Sequence, residues 1–177
     1  PKYQVVIAMC GKYTDLIDSY KSVMEAFVHA GVENNTSVKI KWIKTQKINN
    51  QSIAKKLFKD IDGILLLPGF GSRGVEGKIH CSRFARENNV PFLGICLGLQ
   101  CAIIDFARNV CGLSNANSTE FNKNTNHPVI SLMESQNAIK IKGGTMRLGA
   151  YTCAIKRGTR LYRAYKKTKI TERHRHR

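Results

Sequence analysis

The chain has 177 residues, 42% of them hydrophobic, and 29 Lys and Arg against 12 Asp and Glu give a formal net charge of +17. That length suits one well-buried domain, and no apolar run approaches the roughly 20 residues that cross a bilayer. Six cysteines (Cys10, Cys81, Cys96, Cys101, Cys111, Cys153) without CxxC or CxxH spacing argue against a zinc site or a disulfide framework. Reduced thiols in a cytoplasmic protein, with no metal, are the expectation, since the first residues also lack the layout of a secretion signal.

A balance of +17 raises nucleic acid or an anionic surface as a partner. The lysines are spread along the chain, however, and no aromatic residues interleave with them as a base-stacking platform would require. Neither nucleic acid nor a membrane is therefore expected as a partner, although the field would favour phosphate-rich nucleotides.

In chain order, Gln4 to Met9 reads as an apolar strand followed by the turn Cys10-Gly11-Lys12-Tyr13. Its Gly-Lys pair is no phosphate-binding Walker loop, because the upstream glycine and the following Ser or Thr are missing. Asp15 or Asp18 can cap a helix whose apolar face carries Tyr20, Val23, Met24, Phe27 and Val28 and which ends near Gly31. A strand Ser37–Ile43 with a lysine-coated outer face comes next, then a helix over about 52–58. Gly63–Leu67 is an unbroken apolar run, as expected of a central parallel strand covered on both faces.

The loop Pro68-Gly69-Phe70-Gly71-Ser72-Arg73-Gly74 carries three glycines at the carboxyl end of that strand, the place where open α/β sheets bind ligands. A helix over about 75–87 leads into the next short strand. The alternation predicts an α/β fold with a central, mostly parallel sheet. From Val129 the rhythm changes to short strands, Val129–Met133, Ala138–Lys142 and Tyr151–Ile155, expected to form a small antiparallel extension. Beyond them a short helical pattern lies within the basic cluster from Arg157 to Lys169.

The chemistry concentrates in Val90 to Gln100. A short strand, then Gly94-Ile95-Cys96-Leu97-Gly98, then an apolar pattern through Ala102, Ile103, Phe106, Ala107 and Val110 has the form of a strand-to-helix nucleophile elbow. The glycines leave room around the raised side chain. A thiol there faces the positive end of a helix dipole, which favours the thiolate. The backbone N–H of Leu97 can meet a developing oxyanion.

Gly94 to Val110 (GICLGLQCAIIDFARNV) resembles the nucleophile segment of class I glutamine amidotransferases, and in particular that of the CTP synthase family. GFGSRGVEG (Gly69–Gly77), NANSTEF (Asn115–Phe121), GGTMRLG (Gly143–Gly149) and ERHRHR (Glu172–Arg177) match the same family in order along the chain. The resemblance implies a flavodoxin-like three-layer sandwich. It implies that Cys96 attacks the side-chain amide of L-glutamine, forming a thioester and releasing ammonia for the ATP-dependent conversion of UTP to CTP. The N–H groups of Gly69 and Leu97 would form the oxyanion hole, while Gly69, Gln100, Glu120 and Arg177 would bind glutamine. Arg73, Gly74 and Glu76 match a lid associated with activation by GTP.

The resemblance further implies no cofactor in this domain, with ATP and Mg belonging to a synthetase domain of the same polypeptide, and a homo-oligomer, a tetramer, for the whole enzyme. Residues 1–177 would then be the amidotransferase domain without its carboxy-terminal part and without the preceding synthetase domain. The family's base lies in a His-Pro-Glu sequence, which these residues do not contain. His127-Pro128 is followed by Val129 instead, and His29, His80, His174 and His176 are no better placed. The fragment alone is therefore expected to be inactive. Pro68 stands where the family usually has glycine, which lowers the mobility of the loop. A non-catalytic relative that binds a ligand or partner, and a basic interaction module, are the alternatives.

Overall fold

The computed structural model describes residues 1–12, 14, 17–132 and 147–176. The chain divides into two compact units, Pro1–Ser131 and Leu132–Arg177.

In the first unit, strand β1 (Tyr3–Gly11) lies between β2 (Thr36–Lys44) and β3 (Gly63–Leu66), and β4 (Phe92–Gly94) pairs with the other side of β3. All three pairings are parallel, running from Tyr3↔Thr36 to Gly11↔Lys44, from Ile7↔Gly63 to Cys10↔Leu66, and from Ile64↔Phe92 to Leu66↔Gly94. Successive side chains on a strand point to opposite faces, and the two central strands supply two cores at once. Ala8, Cys10, Ile64 and Leu66 join one hydrophobic cluster, whereas Met9, Leu65 and Leu67 join the other. Both faces being covered explains the unbroken apolar run of β3, all four of whose residues are buried.

The first cluster is completed by α2 (Gln51–Leu57), α3 (Val75–Glu87) and α4 (Leu97–Asn109) through Ala54, Ile79, Phe84, Cys101 and Ile104. The second is closed by Tyr20 with Val23 and Phe27 of α1 (Lys21–Glu33). One helix, a sheet and three helices make the three layers. The order β2-β1-β3-β4 takes the chain from β1 outward to β2 and back past β1 to β3. The segments leaving β1 and β3 thus turn to opposite faces, and a crevice opens beyond the carboxyl ends of these two strands.

Several local expectations are corrected. Helix α1 is not capped by Asp18, which lies inside a 3-10 turn, Ile17–Tyr20. Tyr20 is the cap residue and makes no side-chain capping bond; its ring is buried, 5.8 Å from that of Trp42. Burial of the ring outweighs a carboxylate cap, while the 3-10 turn satisfies part of the helix start. Asp15 lies outside the described residues. In α4 the buried apolar side chains are Leu97, Cys101, Ile104 and Ala107, whereas Ile103, Phe106 and, just past the helix, Val110 are exposed. This helix is apolar on two sides, and its sequence alone did not tell which one meets the sheet.

The short strand β6 (His127–Ile130) pairs with β5 (Ala116–Ser118), and the pairing is parallel, not antiparallel. Periodicity defines a strand but carries no information about its partner's direction. The segments Ala138–Lys142 and Met133 lie outside the described residues. In the second unit, β7 (Arg147–Ala154) and β8 (Lys169–His176) form an antiparallel ribbon with α5 (Arg160–Tyr165) between them; β7 overlaps the expected strand Tyr151–Ile155, whereas its partner β8 was not expected to be a strand. The basic stretch ERHRHR is thus mostly strand. Tyr151 stands opposite Glu172 and meets the His174 ring edge-on at 5.2 Å. No helix among the described residues is long and apolar enough to cross a membrane.

Candidate active site

The thiol turn is built by contact with β3. After β4, the Ile95 N–H donates to the Leu66 carbonyl at 3.0 Å, and Cys96 follows as the cap residue of α4 with φ 55 and ψ −111. A non-glycine residue held there costs on the order of 1–3 kcal/mol and persists only where the surroundings impose it. The two glycines show what imposes it. A Cβ on Gly94 would lie 2.7 Å from the Leu99 nitrogen and the Gly98 carbonyl carbon, and one on Gly98 would lie 2.2 Å from the Leu66 oxygen. Only hydrogen at both places lets the first turn of α4 press against the end of β3. The turn is closed by Gly98 N–H to Ile95 O at 2.9 Å and Gln100 N–H to Cys96 O at 3.1 Å.

Among the six cysteines the structure separates Cys96 from the core thiols. Cys10, Cys81 and Cys101 are buried, Cys111 and Cys153 exposed, and Cys96 half-buried. Burial pushes the Cys101 thiol up to about 12, and burial, with a hydrogen bond to Cys10, holds Cys81 well above the ordinary thiol range. Both stay protonated at neutral pH, and a protonated thiol is a poor nucleophile.

The glycine loop leaves β3 beside this turn. The Leu67 N–H donates to the Cys10 carbonyl at 2.9 Å, the last rung before the chain departs from the sheet. A Cβ on Gly69 would lie 3.6 Å from Leu97 Cδ2 and 3.3 Å from Lys12 Cε. The two residues expected to supply oxyanion amides are thus neighbours. Leu97 opens α4, whose first N–H groups have no partner within the helix. Gln100, four residues after Cys96, rises from the same side of that first turn and is half-buried.

Glu120 follows β5 and reaches the loop, where its Oε1 accepts the Gly71 N–H at 3.2 Å. Its own N–H donates to the Oγ of buried Ser118 at 3.2 Å. Gly69 thus neighbours Leu97, in the same first turn as Gln100, and Glu120 is tied to the glycine loop two residues past Gly69. Arg177 lies outside the described residues.

The expected lid divides. Arg73 is exposed, and Gly74 opens α3 in a left-handed conformation at φ 78. Glu76 is instead tied to the scaffold. Both its oxygens accept from Arg108 Nη1, at 3.1 and 2.9 Å, and Arg108 Nε donates to the Ala116 carbonyl at 2.7 Å.

Two residues escaped the sequence reading. Lys78, on α3, is fully buried and its Nζ donates to the Leu67 carbonyl. Lys12, just past β1, is also buried and its Nζ donates to the Phe70 carbonyl. Burial lowers the pKa of Lys78. The rejected Gly11-Lys12 pair was the one available signal, and it pointed to phosphate chemistry, not to a loop.

His80 meets the Gln51 side-chain amide, at 3.1 Å to Nδ1. His127 opens β6 opposite Ala116, at the end of that strand pair away from Glu120. His29 is exposed on α1, and His174 Nδ1 lies 3.0 Å from the Glu172 carbonyl.

An α/β sandwich with a cysteine on a strained strand-to-helix turn has the form of a nucleophile-elbow domain, and comparison places the chain within one family. The family model described as glutamine amidotransferase class-I matches residues 15–177, and the chain belongs to that family. Its relatives include CTP synthases of Chlorobium phaeobacteroides (strain DSM 266 / SMG 266 / 2430), 58% identical over 98% of this chain, and Cytophaga hutchinsonii, 56% identical over all of it. The chain spans about a third of the length of these proteins, 31% and 33% respectively. A solved structure described as Trypanosoma brucei CTPS, glutaminase domain with bound acivicin, superposes with a TM-score of 0.88 at 36% identity, over 98% of this chain and 67% of that one.

Proposed function

We propose that this chain is the glutamine-hydrolysing part of a CTP synthase, with Cys96 as the nucleophile. The observation that carries the reading is the backbone of Cys96 itself, at φ 55 and ψ −111 between two glycines that tolerate no Cβ. The Cys96 thiolate attacks the side-chain carbonyl carbon of L-glutamine, and the carbonyl electron pair moves onto oxygen. The N–H groups of Gly69 and Leu97 receive that oxyanion. When it collapses, the C–N bond breaks and ammonia leaves with a proton from a general acid. A water then opens the thioester to glutamate and frees the thiolate. The acid/base belongs to a His-Pro-Glu segment by family resemblance, a sequence that these 177 residues do not contain.

Glu120 pairs with the substrate's ammonium, Arg177 with its carboxylate, and Gln100 bonds to its polar end, the complementary arrangement expected for a free amino acid. The released ammonia aminates UTP to CTP at the expense of ATP, with Mg, in a synthetase domain of the same polypeptide. GTP acts as activator through the segment with Arg73 and Gly74, and the whole enzyme is a cytoplasmic homo-oligomer, a tetramer. The non-catalytic alternative is not favoured, because a merely structural cysteine gains nothing from so strained a backbone.

The test uses the full-length protein and a glutamine-mimicking electrophile, for which acivicin, the ligand of the similar structure, is the first choice. Mass labelling is expected at Cys96, with none in Cys96→Ala, and glutamine-dependent CTP formation is lost in that variant while formation from free ammonia persists. Glutamine-dependent turnover by Cys96→Ala at the native rate would end the proposal.

A further inference from the structure

We infer that Lys12 and Lys78 are positioning residues that aim the Gly69 amide, each gripping a backbone carbonyl on one side of the Pro68-Gly69 step. The inference rests on Gly69 as an oxyanion donor. Past the Leu67 N–H the loop has left the sheet ladder, and no rung between the described strands sets the direction of its later amides. Lys78 Nζ donates to the Leu67 carbonyl and so fixes the peptide plane that enters Pro68. The proline ring then fixes the next φ. On the far side, the Phe70–Gly71 peptide is held at both poles: Lys12 Nζ donates to its carbonyl, and Glu120 accepts its N–H at 3.2 Å. The Gly69 N–H hangs between two anchored planes.

The burial of Lys78 marks this as more than packing. Its side chain has no exposed surface and is surrounded by Cys10, Cys81 and Cys101, with Lys12 also near. Taking an ammonium out of water is costly, and a methionine would fill comparable space without that cost. What methionine lacks is the donor. Lys78 Nζ also lies 4.0 Å from where a Gly69 Cβ would stand, so its head group is beside the residue whose amide is to be aimed.

The experiment compares full-length wild type with Lys78→Met and Lys12→Met. Misaiming one oxyanion amide is expected to lower kcat for glutamine by about ten- to a hundredfold, with KM changed less than about threefold. Affinity for glutamate γ-semialdehyde, whose thiohemiacetal with Cys96 builds the same oxyanion, falls in parallel with kcat. Alkylation of Cys96 by iodoacetamide, a displacement with no oxyanion, stays within about twofold of wild type. Native kcat in both variants, or loss of alkylation in step with kcat, would overturn the inference. If Lys78→Met does not fold, Lys12→Met decides by the same criteria. Wild-type protein that neither hydrolyses glutamine nor alkylates at Cys96 would instead refute the function proposed above.

Discussion

The Oε1 of Glu120 accepts a hydrogen bond from the Gly71 N–H at 3.2 Å, joining residues 49 apart in sequence. The carboxylate proposed to bind the substrate is thereby fastened to the loop that carries the proposed oxyanion amide. Under that proposal, recognition of the substrate and aim of the catalytic group share one support.

Glu120→Gln is expected to keep an acceptor for Gly71 and lose the charge that meets an ammonium. KM for glutamine should rise about tenfold or more with a smaller change in kcat. Steady-state kinetics in the full-length protein check this, and an unchanged KM would remove Glu120 from the substrate site.

Gly98→Ala places a methyl 2.2 Å from the Leu66 carbonyl oxygen, backbone against backbone. Neither side can step away without unseating α4 from β3, so the variant should lose about 3 kcal/mol. Urea unfolding measures it. A loss under 1 kcal/mol would mean that the elbow is looser than described.

Arg86 donates to buried Asp105 at 3.0 and 3.3 Å, and Asn109 Nδ2 donates to the same carboxylate at 2.8 Å. Asp105→Ala leaves the half-buried guanidinium without this partner and should cost about 3 kcal/mol. Glu76→Gln, whose side chain is 63% exposed, should cost less than about 1 kcal/mol despite its pairing with Arg108. Equal losses in the two variants would contradict the difference in burial.

The Cys101 thiol, pushed by burial from 9.0 to about 12, ties stability to alkaline pH. The unfolded chain ionises first, so this contribution is intact below about pH 9 and is lost as pH climbs toward 12. Lys78 acts with the opposite sign, because burial lowers its pKa and the unfolded chain then keeps its proton longer. Cys101→Ala removes the first effect and leaves the burial of Lys78 in place. Under reducing conditions, wild type should lose about 2 kcal/mol more than the variant between about pH 9 and pH 10.5. Parallel pH profiles would show that Cys101 ionises alike in both states.

What the sequence determined by itself was local or repeated. An apolar run announced β1, a lysine-striped alternation announced β2, an unbroken run marked β3 as central, and two glycines around Cys96 announced the elbow, because each is a property of adjacent residues. Tertiary structure alone decided which side of α4 is buried, that β6 runs parallel to β5, and that Glu76 braces Arg108. It alone brought Lys12, Lys78 and Glu120 to residues 67–71 from just past β1, from α3 and from the segment after β5. Those partners lie 11, 49 and 58 residues from the backbone groups they hold. No window of neighbouring side chains encodes such a contact, since it exists only once the sheet order has set β1 beside β3.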